Sequence, residues 1–202
     1  MMKIIGITGG VGAGKSSVLK YIKDNYNCVV VTADDIGNEV KEPGEECYER
    51  LITLLGRGIL DTDGRIDKKK MAEAIFADED KLNAVESIIH PAVIDRIRQK
   101  ADMERSRGKV DYFFIEAALL IECGFNDYVD QMWYIYASQD VRRKRLKQSR
   151  GYDDSRIDGI MNSQLTDEAF KNGSDVVIDN GGDFEDTIRQ IDEGLSKIQT
   201  GV

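Results

Sequence analysis

Gly9 to Ser16 reads G-G-V-G-A-G-K-S, a G-x-x-x-x-G-K-S pattern that sets a lysine beside a hydroxyl at the end of a glycine run. These residue types at this spacing handle phosphate. Glycines let backbone N–H groups come up against phosphate oxygens where a side chain would block them. Lys15 can reach the β- and γ-phosphates of a nucleoside triphosphate, and the Ser16 hydroxyl is a hard oxygen ligand for Mg²⁺. Two acidic positions can act with them. Asp34 follows the β-branched run Cys28–Val31. There it can direct and deprotonate an attacking hydroxyl, hold Mg²⁺ through water, or, with Asp35, cap the next helix. Glu116 closes Tyr112–Ile115, a place for an Mg²⁺–water ligand or for a plain strand-end carboxylate. Arg142, Arg143, Lys144, Arg145, Lys147 and Arg150 form a dense basic cluster in an acidic chain. Arginine suits planar contact with phosphoryl oxygens, so the cluster reads as a phosphate-clamping lid, although a helix cannot aim all six at one ligand.

These groups need a frame. Ile4–Ile7 has the length of a buried parallel strand, and Val18, Leu19 and Ile22 share one helical face, so the glycine segment lies between strand and helix, the setting of a P-loop. Further strands are predicted at Cys28–Val31, Tyr112–Ile115, Met132–Tyr136 and Asp175–Ile178. A closing helix carries Phe184, Ile188, Ile191, Leu195 and Ile198 on one face. Five strands alternating with helices describe a three-layer α/β domain. From Ile36 to about Met103 the pattern is helical throughout. Its apolar stripes are Cys47-Leu51-Leu54-Leu55, Met71-Ala74-Ile75, Leu82-Val85-Ile88-Ile89 and Val93-Ile94-Ile97-Ala101. That exceeds a crossover helix and reads as an inserted acceptor-holding subdomain, its last helix opened by Pro91. Ala117–Glu122 runs into a loop and helix. Asp61-Thr62-Asp63-Gly64 lacks the glycine and glutamate positions of a calcium loop and reads as a surface turn. His90, the sole histidine, stands beside Pro91 as a packed or capping residue.

The composition narrows the function. A net charge of −9 over 202 residues argues against general nucleic-acid binding, and no apolar stretch approaches a membrane span or a signal peptide. Cys28, Cys47 and Cys123 are odd in number and lack a C-x-x-C pair, which fits reduced thiols in a cytoplasm. A guanine-reading N/T-K-x-D motif is absent from the sequence, which argues against a GTPase switch.

Taken in order, GITGGVGAGKS, TADDI, IIHPAV, LLIE, RLKQSRGY and SDVVIDNGG resemble the dephospho-CoA kinase family nearly end to end. The resemblance implies a P-loop kinase fold with a five-stranded parallel sheet, a helical acceptor-binding insertion and a helical lid. In this single domain the core would be about 1–35, 104–140 and 172–202, the insertion 36–103 and the lid 141–171. It implies transfer of the ATP γ-phosphoryl group to the ribose 3′-hydroxyl of dephospho-CoA, with Mg²⁺ and no obligate protein partner. By resemblance Gly12, Ala13, Gly14, Lys15, Ser16, Ser17, Arg145 and Asn180 bind ATP, and Asp34, Lys15 and Arg145 are catalytic. Asp34, His90, Leu119 and Glu122 would meet the acceptor, with Ser16 and, through water, Glu116 on the metal. The chain departs from the family pattern at Thr32, usually an acid, and at Glu116-Ala117-Ala118, usually D-x-P. It departs again at Arg142, usually glutamine, and at Lys68, usually arginine.

Overall fold

The computed structural model describes residues 1–76 and 78–200. The elements run β1 (Lys3–Thr8), α1 (Lys15–Asn25), β2 (Cys28–Thr32), α2 (Ala33–Glu39), α3 (Glu46–Leu55), α4 (Lys68–Ile75) and α5 (Glu79–Arg107). They continue as β3 (Tyr112–Glu116), β4 (Gln131–Tyr136), α6 (Gln139–Arg150), α7 (Asp154–Asn162), α8 (Asp167–Asn172), β5 (Val176–Asp179) and α9 (Phe184–Thr200). One five-stranded sheet has the order β2-β3-β1-β4-β5, with β1 paired in parallel to both β3 and β4, and β4 to β5. Because β1 has partners on both edges, its carboxyl end, where the glycine loop starts, lies at the centre of the sheet.

Strand alternation sends two sets of side chains to opposite faces. Ile5 and Ile7 of β1, Tyr112 and Phe114 of β3, and Trp133 and Ile135 of β4 pack with Val18 and Ile22 of α1 and with Ile191 and Leu195 of α9. These residues are fully or almost fully buried. The other set includes Tyr134, whose ring stacks on Phe170 of α8 with centroids 4.9 Å apart. Helices therefore cover both faces, as a parallel sheet with apolar residues on each side requires.

The chain divides into two compact units, residues 1–30 with the described residues from 104 onward, and residues 31–103. In the second unit Cys47, Leu51, Val85, Ile88, Ile97 and Ala101 are buried. Arg96 there binds Glu45 at 2.6 Å and Lys100 binds Glu39 at 3.0 Å. Asp61 turns the chain by accepting from the N–H groups of Asp63 and Arg65, both at 2.9 Å, so the 61–64 segment is a surface turn.

Four local expectations are corrected. Pro91 does not open a helix. It lies inside α5, which runs unbroken for 29 residues, the ring costing the bond its missing N–H would give to the Ser87 carbonyl. Leu54 of α3 and Leu82, near the start of α5, are exposed, and the short α4 buries no residue, so these stripes are covered only in part. Residues 117–124 form turns and lead to a single 3-10 turn at Phe125–Asp127 instead of an α-helix. The cap of α2 is neither Asp34 nor Asp35 but Thr32, whose hydroxyl accepts from the Asp35 N–H at 3.1 Å and donates to the Asp35 carboxylate at 2.7 Å.

Candidate active site

The loop between β1 and α1 carries three glycines with φ in the left-handed region, of which Gly14, at φ 91, is the cap residue of α1. A Cβ at Gly14 would lie 2.2 Å from the Asn180 side chain, and one at Gly10 would lie 2.3 Å from the Arg142 guanidinium. The glycines thus do two things at once. They free the backbone for an anion, and they let α6 and the loop after β5 close on the phosphate segment from behind. The first intrahelical bonds of α1 start at Ser17 N to Gly14 O, at 3.0 Å, so the N–H groups before them form the helix N-terminus that attracts anions.

Lys15 donates its ammonium to the Gly9 carbonyl at 2.8 Å and lies 3.5 Å from a carboxylate oxygen of Glu116. Register explains the pairing: Ile7 of β1 stands opposite Glu116 of β3, so the loop and the end of β3 emerge together. Ser16 is exposed in the first turn of α1. Among the described residues no cluster of three or more His, Cys, Asp or Glu side chains could cage a metal. One hydroxyl and one strand-end carboxylate form a hard-oxygen set that fits Mg²⁺, a cation that commonly takes its remaining ligands from water and phosphate.

Asn180 and Arg145 close the other side. The Asn180 amide donates to the Ala13 carbonyl at 2.7 Å, and its oxygen accepts from the buried Thr187 hydroxyl at 3.1 Å. Arg145 donates to the carbonyls of Ala13, at 3.2 Å, and Asn180, at 2.7 Å. Beside them opens a cleft of about 520 Å³ lined by Gly14, Ser17, Tyr21, Arg145, Asn180 and Phe184. Its aromatic and guanidinium walls adjoin the phosphate loop, which suits a planar base attached to a phosphate chain.

The basic helix splits by direction. Arg143 pairs with Asp154 at 2.7 Å and with Asp158, and Lys147 pairs with Asp154 at 2.8 Å, all between α6 and α7. Arg142 turns inward and is buried. Arg150 lies 5.9 Å from the Tyr152 ring. Only Arg145 of the six lines the cleft.

One unit thus brings together Gly12 to Ser17, Glu116, Arg145 and Asn180. Leu119 and Glu122 lie in its exposed turns after β3. Asp34 and His90 belong to the 31–103 unit. Asp34 is exposed in the first turn of α2, and its carboxylate makes no hydrogen bond among the described residues. His90 is half-buried in α5. In the same unit burial, with the nearby Lys68 charge next, lowers the pKa of Lys41, while Asp34 acts in the opposite sense. Burial raises the thiols of Cys28, Cys47 and Cys123 above their ordinary range, so they are poor nucleophiles.

Sequence reasoning missed Gln164, Thr187, Tyr21 and Phe184. Tyr21 was within reach, because Ser17 and Tyr21 stand four apart on one helix and share a face. Gln164 and Thr187 carried no local signal, since each acts through a partner far away in the chain.

A family model described as CoaE, dephospho-CoA kinase, matches residues 3–186. A dephospho-CoA kinase from Carboxydothermus hydrogenoformans is 33% identical over 191 residues, covering 95% of this chain and 92% of that protein. Another, from Geobacter sulfurreducens, is 36% identical over 197 residues, covering 97% and 98%. The solved structure of the dephospho-CoA kinase from Campylobacter jejuni aligns with a TM-score of 0.72 at 20% identity, covering 100% of this chain and 99% of that one, a likeness of fold.

Proposed function

The chain belongs to the dephospho-CoA kinase family, whose ATP-dependent phosphorylation of dephospho-CoA in the last step of CoA biosynthesis it shares, and we propose that its own residues carry that reaction as follows. The acceptor atom is the ribose 3′-hydroxyl. The reading rests on one observation above all: the family match, over residues 3–186, takes in both the phosphate loop and the 31–103 segment that would choose the acceptor.

Lys15 and the helix N-terminus behind it meet the triphosphate, and the base lies in the cleft beside Tyr21 and Phe184. Arg145 and Asn180 position the loop carbonyl at Ala13, and Arg145 adds positive charge at the cleft. Asp34, exposed and free of a capping task, accepts or directs the hydroxyl proton. His90, Leu119 and Glu122 contribute to acceptor binding. Ser16, with Glu116 through water, would hold Mg²⁺, which neutralises the charge that builds on the transferred phosphoryl group. The 31–103 unit presents the acceptor, and residues 141–171 act as a lid that excludes water from the phosphoryl group. The reaction takes place in the cytoplasm, a location that an odd number of cysteines without a C-x-x-C pair fits. No helix among the described residues is long and apolar enough to cross a membrane.

One coupled assay tests this. ADP release with ATP, Mg²⁺ and dephospho-CoA should exceed release with any nucleoside monophosphate, and the product should carry a 3′-phosphate. ADP release that does not respond to dephospho-CoA overturns the assignment.

A further inference from the structure

Arg142 is charged and stands in a helix whose other basic residues face outward or line the cleft, yet it is 4% exposed. Its Nε donates to the Val11 carbonyl at 2.9 Å, and its Nη2 donates to Gln164 Oε1 at 3.1 Å. The same Gln164 oxygen accepts from the Val11 N–H at 3.0 Å. Both backbone polar groups of Val11, the tip residue of the phosphate loop, are therefore held by side chains from α6 and from the stretch between α7 and α8. The remaining guanidinium nitrogen lies 3.6 Å from Asp167, whose carboxylate also accepts from the Tyr134 hydroxyl at 2.9 Å. The guanidinium packs flat against the loop: a Cβ at Gly10 would collide with it, and one at Gly12 would press on the Arg142 backbone at 3.0 Å.

We propose that Arg142 and Gln164 form a brace that sets the conformation of the phosphate loop, making the pair a positioning element for the nucleotide diphosphate. The brace ties the cradle to the 154–172 segment, so the order of that segment and the affinity for the β-phosphate rise and fall together. It also removes the Val11 N–H from anion binding and leaves that task to the N–H groups nearer α1. Arginine is needed because one planar group must donate to a carbonyl and an amide oxygen at once while a third nitrogen faces a carboxylate at 3.6 Å. Lysine, a point donor on a flexible stem, cannot hold all three in one plane. The assignment rests on the reading of the loop as the ATP cradle, and binding measurements separate it from the choice of acceptor.

The test is calorimetric titration of the full chain with ADP and Mg²⁺, alongside kcat and both KM values. Gln164→Leu removes the shared acceptor and Gln164→Glu keeps it. Gln164→Leu and Arg142→Lys should each weaken ADP about tenfold, and the double variant little more than either, because all three loosen one segment. Gln164→Glu should stay within about threefold of the parent, and the KM for dephospho-CoA within about twofold throughout. Parental ADP affinity in Gln164→Leu, even with a lower Tm, reduces the pair to packing and overturns the proposal. Equal losses in Gln164→Leu and Gln164→Glu also overturn it. If Arg142→Lys fails to fold, the two Gln164 variants, at a half-buried position, decide alone. A parent chain that binds ADP but ignores dephospho-CoA would sink the acceptor assignment and leave the brace standing.

Discussion

The side-chain amide of Asn180 donates to the carbonyl of Ala13 over 2.7 Å, joining two residues 167 positions apart. That bond makes the loop after β5 part of the phosphate cradle, and it spends a polar group that could otherwise have read a base. Asn180→Ala removes it and withdraws one acceptor from the buried Thr187 hydroxyl, which keeps the Asp179 carbonyl at 3.1 Å. The expected cost is about 1–3 kcal/mol of stability, read from the denaturant midpoint. The KM for ATP should rise several-fold while that for dephospho-CoA holds. An unaltered midpoint with an unaltered ATP KM would show the bond to be idle.

Asp34 has no capping work to do, because Thr32 caps α2. Asp34→Asn should therefore fold with parental stability and lose turnover, by ~10² or more in kcat, with little change in ATP affinity. Near-normal kcat in that variant would take the proton-accepting role away from Asp34.

Arg145 and Arg143 stand two residues apart and do different work. Arg145 reaches Ala13 and Asn180 at the cleft, whereas Arg143 pairs with exposed carboxylates of α7. Arg145→Ala should lower kcat/KM for ATP by at least about tenfold. Arg143→Ala should leave it nearly unchanged, since exposed ion pairs contribute at most ~1 kcal/mol and are screened by salt. The reverse ranking would move the nucleotide contact to Arg143.

Tyr21 and Tyr26 both donate to Asp192 of α9, Tyr21 at 2.9 Å and Tyr26 at 2.5 Å. Burial first, then the hydrogen bond and charge of Asp192, raises both phenols above their ordinary value of 10.0. A pKa raised in the folded state contributes stability that is fully present below the unfolded value and is lost as pH climbs through the folded one. The urea midpoint should thus be insensitive to these groups below pH ~10 and fall above it, with a shallower fall in Tyr26→Phe. Identical alkaline slopes in parent and variant would rule Tyr26 out as the cause.

Much of the fold is written locally. The apolar runs Ile4–Ile7, Tyr112–Ile115 and Met132–Tyr136 are strands because length and apolar content already decide it, and their burial follows. The glycine segment announces phosphate by spacing alone. Helix ends were less legible: Pro91 carries a local breaker signal, yet packing of Val85, Ile88, Ile97 and Ala101 keeps α5 continuous through it. Thr32 was suspect as a lost acid and turns out to be the cap of α2, a role that depended on where the helix begins.

The sequence by itself determined the sheet elements, the phosphate loop with Lys15 and Ser16, the kinase family and so the acceptor. All of these rest on short-range pattern and motif order. Tertiary structure alone decided which basic residues serve the site. Arg142, Arg143 and Arg145 look alike in the chain, but one braces Val11, one binds the acids of α7 and one lines the cleft. The physical reason is that the fate of a long charged side chain depends on which acceptors other segments bring to its side of the helix. Those acceptors, Val11, Gln164, Ala13 and Asn180, meet it only after the sheet has formed.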